Sequence, residues 1–228
     1  MIDFFEMDLS CAILAGGKSR RMGYDKATLD ILGTSLINLV YTTVRDIFQE
    51  IFIVSSNHEN FEGIDTPVIK DAFPLEGPFI GIYSALLYAR NEYVFCLGCD
   101  MPFIEKKAIE YMIGEIHGED IIIPRTRYGY EPLHTIYRKT CIPGFERSIK
   151  EKRFNSIKEK RFKIINIFNG LEVRELYEHP CFFNGRYPVF TNINTDKDLK
   201  DVYDYLVTKK VTTGLVVSQQ EKKTCYKH

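Results

Sequence analysis

The sequence predicts a single-domain α/β protein with a mostly parallel sheet and helices on both faces. Short apolar segments bounded by turn residues alternate with segments of helical periodicity, which is the pattern of parallel strands joined by covering helices. The length of 228 residues suits one such domain. A hydrophobic content of 45% and a charged content of 27% are typical of a chain with one core, which excludes a disordered or disulfide-stapled chain.

The predicted elements follow from these patterns in chain order. Apolar runs that end at turn signals predict strands at residues 9–15, 51–55, 93–98, 121–124 and 164–168. Apolar residues at helical spacing predict helices at residues 35–48, 79–90, 105–117 and 196–207. We therefore take residues 1–209 as the domain and expect residues 210–228 to be a poorly ordered C-terminal tail.

The charge balance excludes several classes of partner. Thirty basic and 31 acidic residues leave a net charge of −1, so no overall field attracts nucleic acid or an anionic membrane. The first ten residues, MIDFFEMDLS, carry acids where a secretory signal requires bases, and no apolar run approaches the roughly 20 residues of a membrane span. We expect a cytoplasmic protein that binds neither nucleic acid nor membranes.

The six cysteines are scattered, which favours reduced thiols. Cys96 and Cys99 form a C-x-x-C pair, a pattern found in zinc and redox sites. No second pair and no nearby histidine accompany them, and Cys96 lies in an apolar strand. Packing is the favoured interpretation, and a metal or redox role is the alternative.

A glycine-rich, basic segment follows the first predicted strand. Residues 14–26, LAGGKSRRMGYDK, contain Gly16, Gly17, Arg21 and Lys26. Glycines let the backbone approach an oligophosphate and direct N–H groups at it, and basic side chains neutralise its charge. The P-loop and dinucleotide patterns do not fit, so the segment predicts a nucleoside triphosphate site, with a solvated loop as the alternative.

Acidic and amide residues follow other predicted strands. Asp100 follows the strand at residues 93–98, at the edge where open α/β sheets bind ligands, and its carboxylate suits Mg²⁺. A turn or helix cap is the alternative. Asp71 precedes Gly77-Pro78, a turn whose backbone could contact a base. The segment TNINT at residues 191–195 precedes the last helix, where Thr195 or Asn194 is either a helix N-cap or a substrate contact.

One local repeat has no counterpart among these motifs. The sequence SIKEKRF occurs at residues 148–154 and again at 156–162, inside the basic stretch 147–163. Two adjacent copies indicate a local duplication rather than a solenoid. A solvated helix face is the favoured interpretation, and an anion-facing lid is the alternative.

Taken together, LAGGKSRRMGYDK, the Asp71 loop, EGPFIG, CDMPF, EPLHTIYR and TNINT resemble the molybdenum cofactor guanylyltransferase family over residues 9–207. The resemblance implies a Rossmann-like nucleotidyltransferase fold. It also implies that GMP passes from GTP to molybdenum-molybdopterin with release of pyrophosphate and with Mg²⁺ as cofactor. Other cofactor-assembly proteins or apo-molybdoenzymes are then candidate partners.

The resemblance also implies roles for individual residues. Those implied to contact the nucleotide are Leu14, Ala15, Gly16, Gly17, Lys26, Asp71, Gly77, Pro78 and Asp100. Arg21, Lys26 and Asp100 would be catalytic, with Asp100 holding Mg²⁺, and Asn192 and Asn194 would lie near the pterin. With a looser match, an Asn-containing nucleotide contact of the family falls near Ser55 and Asn57.

No general base is required, because the attacking phosphate is already ionised and the site has to offset repulsion between two anions. Three alternatives stay open. In two of them the chain transfers a cytidylyl group to the pterin, or a nucleotidyl group to a sugar or polyol phosphate. In the third it is a non-catalytic nucleotide-binding protein that delivers the cofactor. The Gly16-Gly17 pair favours the guanylyl branch by resemblance, and the combination of Lys26 with Asp100 favours an enzyme.

Overall fold

The computed structural model describes residues 9–16, 25–74, 77–154 and 163–212. The strands within these residues are β1 Leu9–Leu14, β2 Asp30–Ile31, β3 Thr34–Ser35, β4 Glu50–Val54, β5 Val68–Ile69, β6 Tyr93–Gly98, β7 Ile121–Thr126, β8 Gly129–Tyr130, β9 His134–Arg138, β10 Val173–Leu176, β11 Phe183–Asn184 and β12 Tyr187–Pro188. The helices are α1 Leu36–Val44, α2 Pro78–Tyr88, α3 Lys106–Gly114, α4 Ile142–Phe154 and α5 Asp196–Thr212.

The main sheet has the strand order β10-β7-β9-β6-β1-β4-β5. Every neighbouring pair along this path is parallel except the two that β9 makes with β6 and β7. The short strand β8 pairs antiparallel with β7 and forms a hairpin with it. The prediction of a mostly parallel sheet is confirmed.

Helices cover both faces of this sheet, as the alternation along β1 requires. Cys11 and Ile13 pack in a cluster with residues of α1 and α3. Ala12 and Leu14 point the other way and pack with residues of α2 and α4. We call these the α1/α3 face and the α2/α4 face. Because both faces are buried, the central strands are continuous apolar runs, which is why the sequence predicted them.

The ends of the helices follow local rules. The Ser35 hydroxyl accepts a hydrogen bond from Asn38 N and caps α1. Pro78 occupies the first turn of α2, where its missing N–H costs no hydrogen bond. Helix α5 begins at Asp196, as predicted, and continues to Thr212, five residues beyond the predicted end.

One predicted strand is wrong. Residues Ile164–Ile167 form a 3-10 helix, and the edge strand is Val173–Leu176. The apolar run packs as a turn against α4, since a Cβ at Gly144 would lie 3.2 Å from the Cβ of Ile167. The edge strand contains the polar residues Arg174 and Glu175, so it is not an apolar run and was not predicted.

Strand β9 and helix α4 are the longest elements that were not predicted. Strand β9 was missed because the buried polar residues His134 and Thr135 interrupt its apolar pattern. Helix α4 contains the first SIKEKRF copy and packs through Phe145 and Ile149 on the α2/α4 face. The second copy lies outside the described residues, and so does the tail beyond residue 212.

The cysteine prediction favoured packing, and the structure agrees. Cys96 lies on the α2/α4 face and Cys99 on the α1/α3 face, so the two thiols cannot bind one metal ion together. Burial raises the pKa of both thiols, which keeps them protonated and unreactive. Among the described residues, no helix is long and apolar enough to cross a membrane.

Candidate active site

The carboxyl ends of β1, β4, β5 and β6 bring the predicted site residues together. The centre of the site is Lys26, whose Nζ lies 3.2 Å from Asp100 Oδ2 and 2.8 Å from Asn194 Oδ1. Three motifs that are far apart in the sequence therefore meet at one ammonium group. The Lys26 and Asp100 side chains are each about one-fifth exposed, at 20% and 19%, so a ligand could reach both.

The backbone around Lys26 is fixed by its neighbour Asp25. One Asp25 oxygen accepts a hydrogen bond from Ala27 N at 2.9 Å, which makes a local turn. The other lies 2.6 Å from Nε2 of His58, in the segment that follows β4. Asp25 therefore holds the Lys26 segment against the next strand along the sheet.

Asp100 is oriented by close packing at the end of β6. A Cβ at Gly98 would lie 2.9 Å from Asp100 Oδ1, a distance that real side chains do not tolerate. The Asp100 carbonyl accepts a hydrogen bond from Ile193 N at 3.1 Å, and this bond anchors the TNINT segment. Gly98 thus has a specific function, to leave room for the carboxylate.

Asp71 lies beside the glycine-rich segment. Its Oδ2 accepts a hydrogen bond from the Ser56 hydroxyl at 2.9 Å, and a Cβ at Gly16 would be 3.9 Å from the same oxygen. A Cβ at Gly81 would lie 3.9 Å from Asp71 Oδ1 and 3.5 Å from Leu14. Gly16 and Gly81 therefore lie on either side of this carboxylate and leave space next to it. Burial raises the pKa of Asp71, and hydrogen bonding to Ser56 and Ser84 opposes this shift only in part. Ionised Asp71 is therefore a partly desolvated acceptor.

Different residues of the TNINT segment cap helix α5 and face the site. The Thr195 hydroxyl accepts from Asp198 N, and the Asp198 carboxylate accepts from Thr195 N, which is a capping box at the start of α5. Thr195 is the N-cap, so Asn194 is free to contact Lys26. The Oδ1 atom of Asn192 is buried and has no hydrogen-bond partner among the described residues, so it is an acceptor that a ligand could satisfy.

These donor atoms fit a magnesium ion held jointly by protein and substrate. A carboxylate and an amide oxygen already converge on one cation, the Lys26 ammonium, and Mg²⁺ prefers such hard oxygen ligands. Within the described chain no three His, Cys, Asp or Glu side chains cluster as a metal site. Asp100 would therefore hold the ion together with phosphate oxygens, which is the usual arrangement for Mg²⁺ on nucleotides.

The remaining predicted residues are placed as follows. Gly17 and Arg21 lie outside the described residues. Leu14 and Ala15 are buried, and their backbones bond to neighbouring strands, with Leu14 O accepting from Cys99 N and Ala15 N donating to Val54 O. Gly77 has φ 122°, a conformation that favours glycine, and it leads directly into Pro78 at the start of α2.

Ser56, Gly98 and Glu131 are among the residues at this edge that were not singled out from the sequence. Ser56, rather than Ser55 or Asn57, contacts Asp71, since Ser55 instead bonds to the backbone of its own loop. Gly98 gives room to Asp100, and Glu131 lies at the same edge of the sheet. Their only signal was position just after a strand or inside a motif.

His134 lies in the EPLHTIYR motif, and the sequence predicts a structural or pterin-facing role for it rather than a catalytic one. It packs edge-on against Phe95 and Phe190 and is fully buried. Burial lowers the pKa of His134 to about 3, so the ring is uncharged at neutral pH. The structure supports the structural role.

Comparisons with known proteins agree with this arrangement. Residues 11–164 match the family model of the MobA-like NTP transferase domain. The chain is 37% identical over 206 residues to the "Probable molybdenum cofactor guanylyltransferase" of Natranaerobius thermophilus, covering 87% of this chain and 97% of that protein. It is 31% identical to the "Molybdenum cofactor guanylyltransferase" of Desulfosudis oleivorans, covering 82% of this chain and 91% of that one.

Solved structures have the same architecture. Molybdopterin-guanine dinucleotide biosynthesis protein A from Archaeoglobus fulgidus superposes with a TM-score of 0.72 at 27% identity, covering 87% of this chain and 99% of that one. A CMP:2-keto-3-deoxy-manno-octonic acid synthetase, at 12% identity and a TM-score of 0.66, shares the fold alone. The family model, the curated relatives and the convergence of Lys26, Asp100 and Asn194 lead to one conclusion: this chain is a nucleotidyltransferase and belongs to the MobA-like NTP transferase family.

Proposed function

We propose that the protein transfers GMP from GTP to molybdenum-molybdopterin, giving the guanine dinucleotide form of the cofactor and pyrophosphate. The observation that carries the proposal is the position of Lys26 Nζ between Asp100 and Asn194 at the carboxyl edge of the sheet. The relatives at 31–37% identity are named as molybdenum cofactor guanylyltransferases, which supports GTP and the pterin as substrates.

The reaction is an in-line exchange at the α-phosphorus of GTP. An oxygen of the pterin's terminal phosphate forms the new P–O bond, and the bond to the β-phosphate breaks and releases pyrophosphate. The attacking oxygen is already ionised, so no side chain has to remove a proton. The protein has to hold two anions together, and Lys26 offsets their charge by lying where their phosphates would meet.

Asp100 is the residue that would hold Mg²⁺, with Asn194 beside it. When bound, the ion supplies charge stabilisation at the phosphates. Asp71 would accept hydrogen bonds from the guanosine, and the Gly16 backbone would pass close to the phosphates. We also place this reaction in the cytoplasm, with cofactor-assembly proteins or apo-molybdoenzymes receiving the product.

Pyrophosphate release with GTP, Mg²⁺ and molybdopterin tests the proposal. We expect turnover that requires all three components and that falls to background in Asp100→Asn, which keeps the shape of the side chain and removes its charge. Binding of GTP without pyrophosphate release would indicate a non-catalytic delivery protein. Equal turnover with CTP would contradict the guanylyl assignment, and turnover with a sugar or polyol phosphate in place of the pterin would contradict the acceptor.

A further inference from the structure

The order of the strands in the sheet predicts the order in which the parts of the two substrates lie along the site. Asp71 follows β5, Gly16 follows β1 and Asp100 follows β6, so the base, the phosphates and the metal would lie in that order across the sheet. The next strand beyond β6 is β9, about 5 Å further along. Because the acceptor reacts at the phosphates, its pterin ring would extend over β9 and β7.

Glu131 lies at that end of the site. It connects the β7–β8 hairpin to β9, with its N–H bonded to Pro124 O and its C=O accepting from His134 N. Its neighbour Leu133 reaches the end of β6, where Leu133 O accepts from Gly98 N at 3.0 Å. Glu131 is therefore on the carboxyl edge, one strand away from Asp100.

The side chain of Glu131 is on the same face as the TNINT segment. Its Oε1 is 3.4 Å from the hydroxyl of Thr126. Side chains at every second position of a strand point to the same face, so Thr126 points to the same face as Ile122. Ile122 packs on the α1/α3 face. Phe190, just before TNINT, packs in that same cluster. The Glu131 carboxylate therefore points to the side where Asn192 has its unpartnered oxygen.

The nearby carboxylate of Glu175 is an example of a glutamate with a structural role, and it differs from Glu131 in its hydrogen bonds. Glu175 accepts hydrogen bonds from Tyr130, Arg125 and Tyr177, and these bonds lower its pKa to about 2. Glu131 is half-buried and, within the described residues, has only the long contact with Thr126. Burial raises its pKa to about 7. The protein thus keeps a partly desolvated carboxylate with most of its acceptor capacity unused.

We propose that Glu131 recognises the pterin ring by accepting hydrogen bonds from its 2-amino group and ring N–H, with Asn192 Oδ1 as a further acceptor. This inference rests on the proposed function. A pterin presents these two donors side by side, and the two oxygens of one carboxylate match such a pair. The site then has one carboxylate at each end, Asp71 for the guanine and Glu131 for the pterin.

The test compares Glu131→Gln with Asp71→Asn, each nearly isosteric. Binding of metal-free molybdopterin is followed by pterin fluorescence, and binding of GTP by calorimetry at fixed Mg²⁺. We expect Glu131→Gln to weaken molybdopterin binding by about tenfold or more, the loss expected for a hydrogen bond to a charged group, with the Kd for GTP unchanged. Asp71→Asn should show the reverse pattern.

A structural control and a ligand control complete the experiment. Glu175→Gln should reduce thermal stability and leave molybdopterin binding unchanged. Wild-type protein should prefer 6-hydroxymethylpterin to the matching lumazine, which has an oxygen in place of the amino group, and Glu131→Gln should lose this preference. Unchanged pterin affinity in Glu131→Gln, or an equal loss for GTP and pterin, would overturn the inference. Absence of turnover in the wild-type protein would instead contradict the proposed function, whatever Glu131 does in binding.

Discussion

The Lys26 ammonium and the Asp100 carboxylate form an ion pair of 3.2 Å across 74 residues of sequence. Both side chains are largely shielded from solvent, so salt screens this pair less than a surface pair. Asn194 provides a second oxygen to the same ammonium at 2.8 Å. The cation is thus held in place before any phosphate binds, and this preorganisation favours catalysis by positioning.

Lys26 and Asn194 should act as one unit. Lys26→Ala should lower kcat/KM by about 10²-fold or more, because it removes a contact to transition-state charge. Asn194→Ala should lower it by less, since the ammonium keeps Asp100 as a partner. Steady-state kinetics of the two single variants and the double variant measure the coupling, and we expect the double variant to resemble Lys26→Ala alone. Fully additive losses would show that Asn194 acts independently, for example on the pterin.

Gly98→Ala should displace the Asp100 carboxylate, because the new Cβ would lie 2.9 Å from Oδ1. We expect kcat/KM to fall by about 10²-fold, as for other small misplacements of a reacting group, together with a weaker Mg²⁺-induced increase in Tm. Gly114→Ala is the matched control, because Gly114 ends α3 with open space around it. That variant should keep normal kinetics, and normal kinetics in both variants would contradict the packing argument.

The cap of α5 should affect the substrate as well as stability. Thr195→Ala removes the hydroxyl that accepts from Asp198 N and should cost about 1 kcal/mol in the free energy of unfolding. The loosened TNINT segment should also raise the KM for molybdopterin. Ser35→Ala removes the equivalent cap of α1, whose hydroxyl bonds within that helix to Asn38, and should cost a similar free energy with no change in KM. Urea unfolding and steady-state kinetics on both variants provide the comparison.

Glu131 should make stability fall as the pH rises. Its pKa is about 7 in the folded protein, above the ordinary glutamate value, so the folded state binds more protons than the unfolded state between about pH 4.5 and 7. This contribution to stability is complete below pH 4.5 and is lost as the pH rises through 7. Glu131→Gln should therefore be more stable than wild type at pH 8 and show a smaller difference at pH 5. Urea unfolding at both pH values measures this, with the exposed Glu178→Gln as control. A Glu131→Gln variant that is less stable at pH 8 would contradict the burial argument.

The sequence by itself determined strands β1, β4, β6 and β7, helices α1, α2, α3 and α5, and the motifs of the site. The central strands are apolar on both faces because both faces are buried, and this makes them visible as continuous runs. Lys26, Asp71, Asp100 and the TNINT segment were visible because glycine, charge and amide residues directly follow such runs.

Only the tertiary structure decided which of these groups meet and which elements the patterns conceal. Strand β9 contains the buried polar residues His134 and Thr135, so local periodicity does not reveal it. The edge strand Val173–Leu176 contains Arg174 and Glu175, whose ion-pair partners come from distant segments. The contacts of Lys26 with Asn194 and of Asp71 with Ser56 depend on strand order and register. Those relationships join residues far apart in the chain, and no local pattern encodes their distances. Glu131 is a candidate pterin contact only because β9 lies between β6 and β7, which brings Glu131 to the edge of the sheet beyond Asp100.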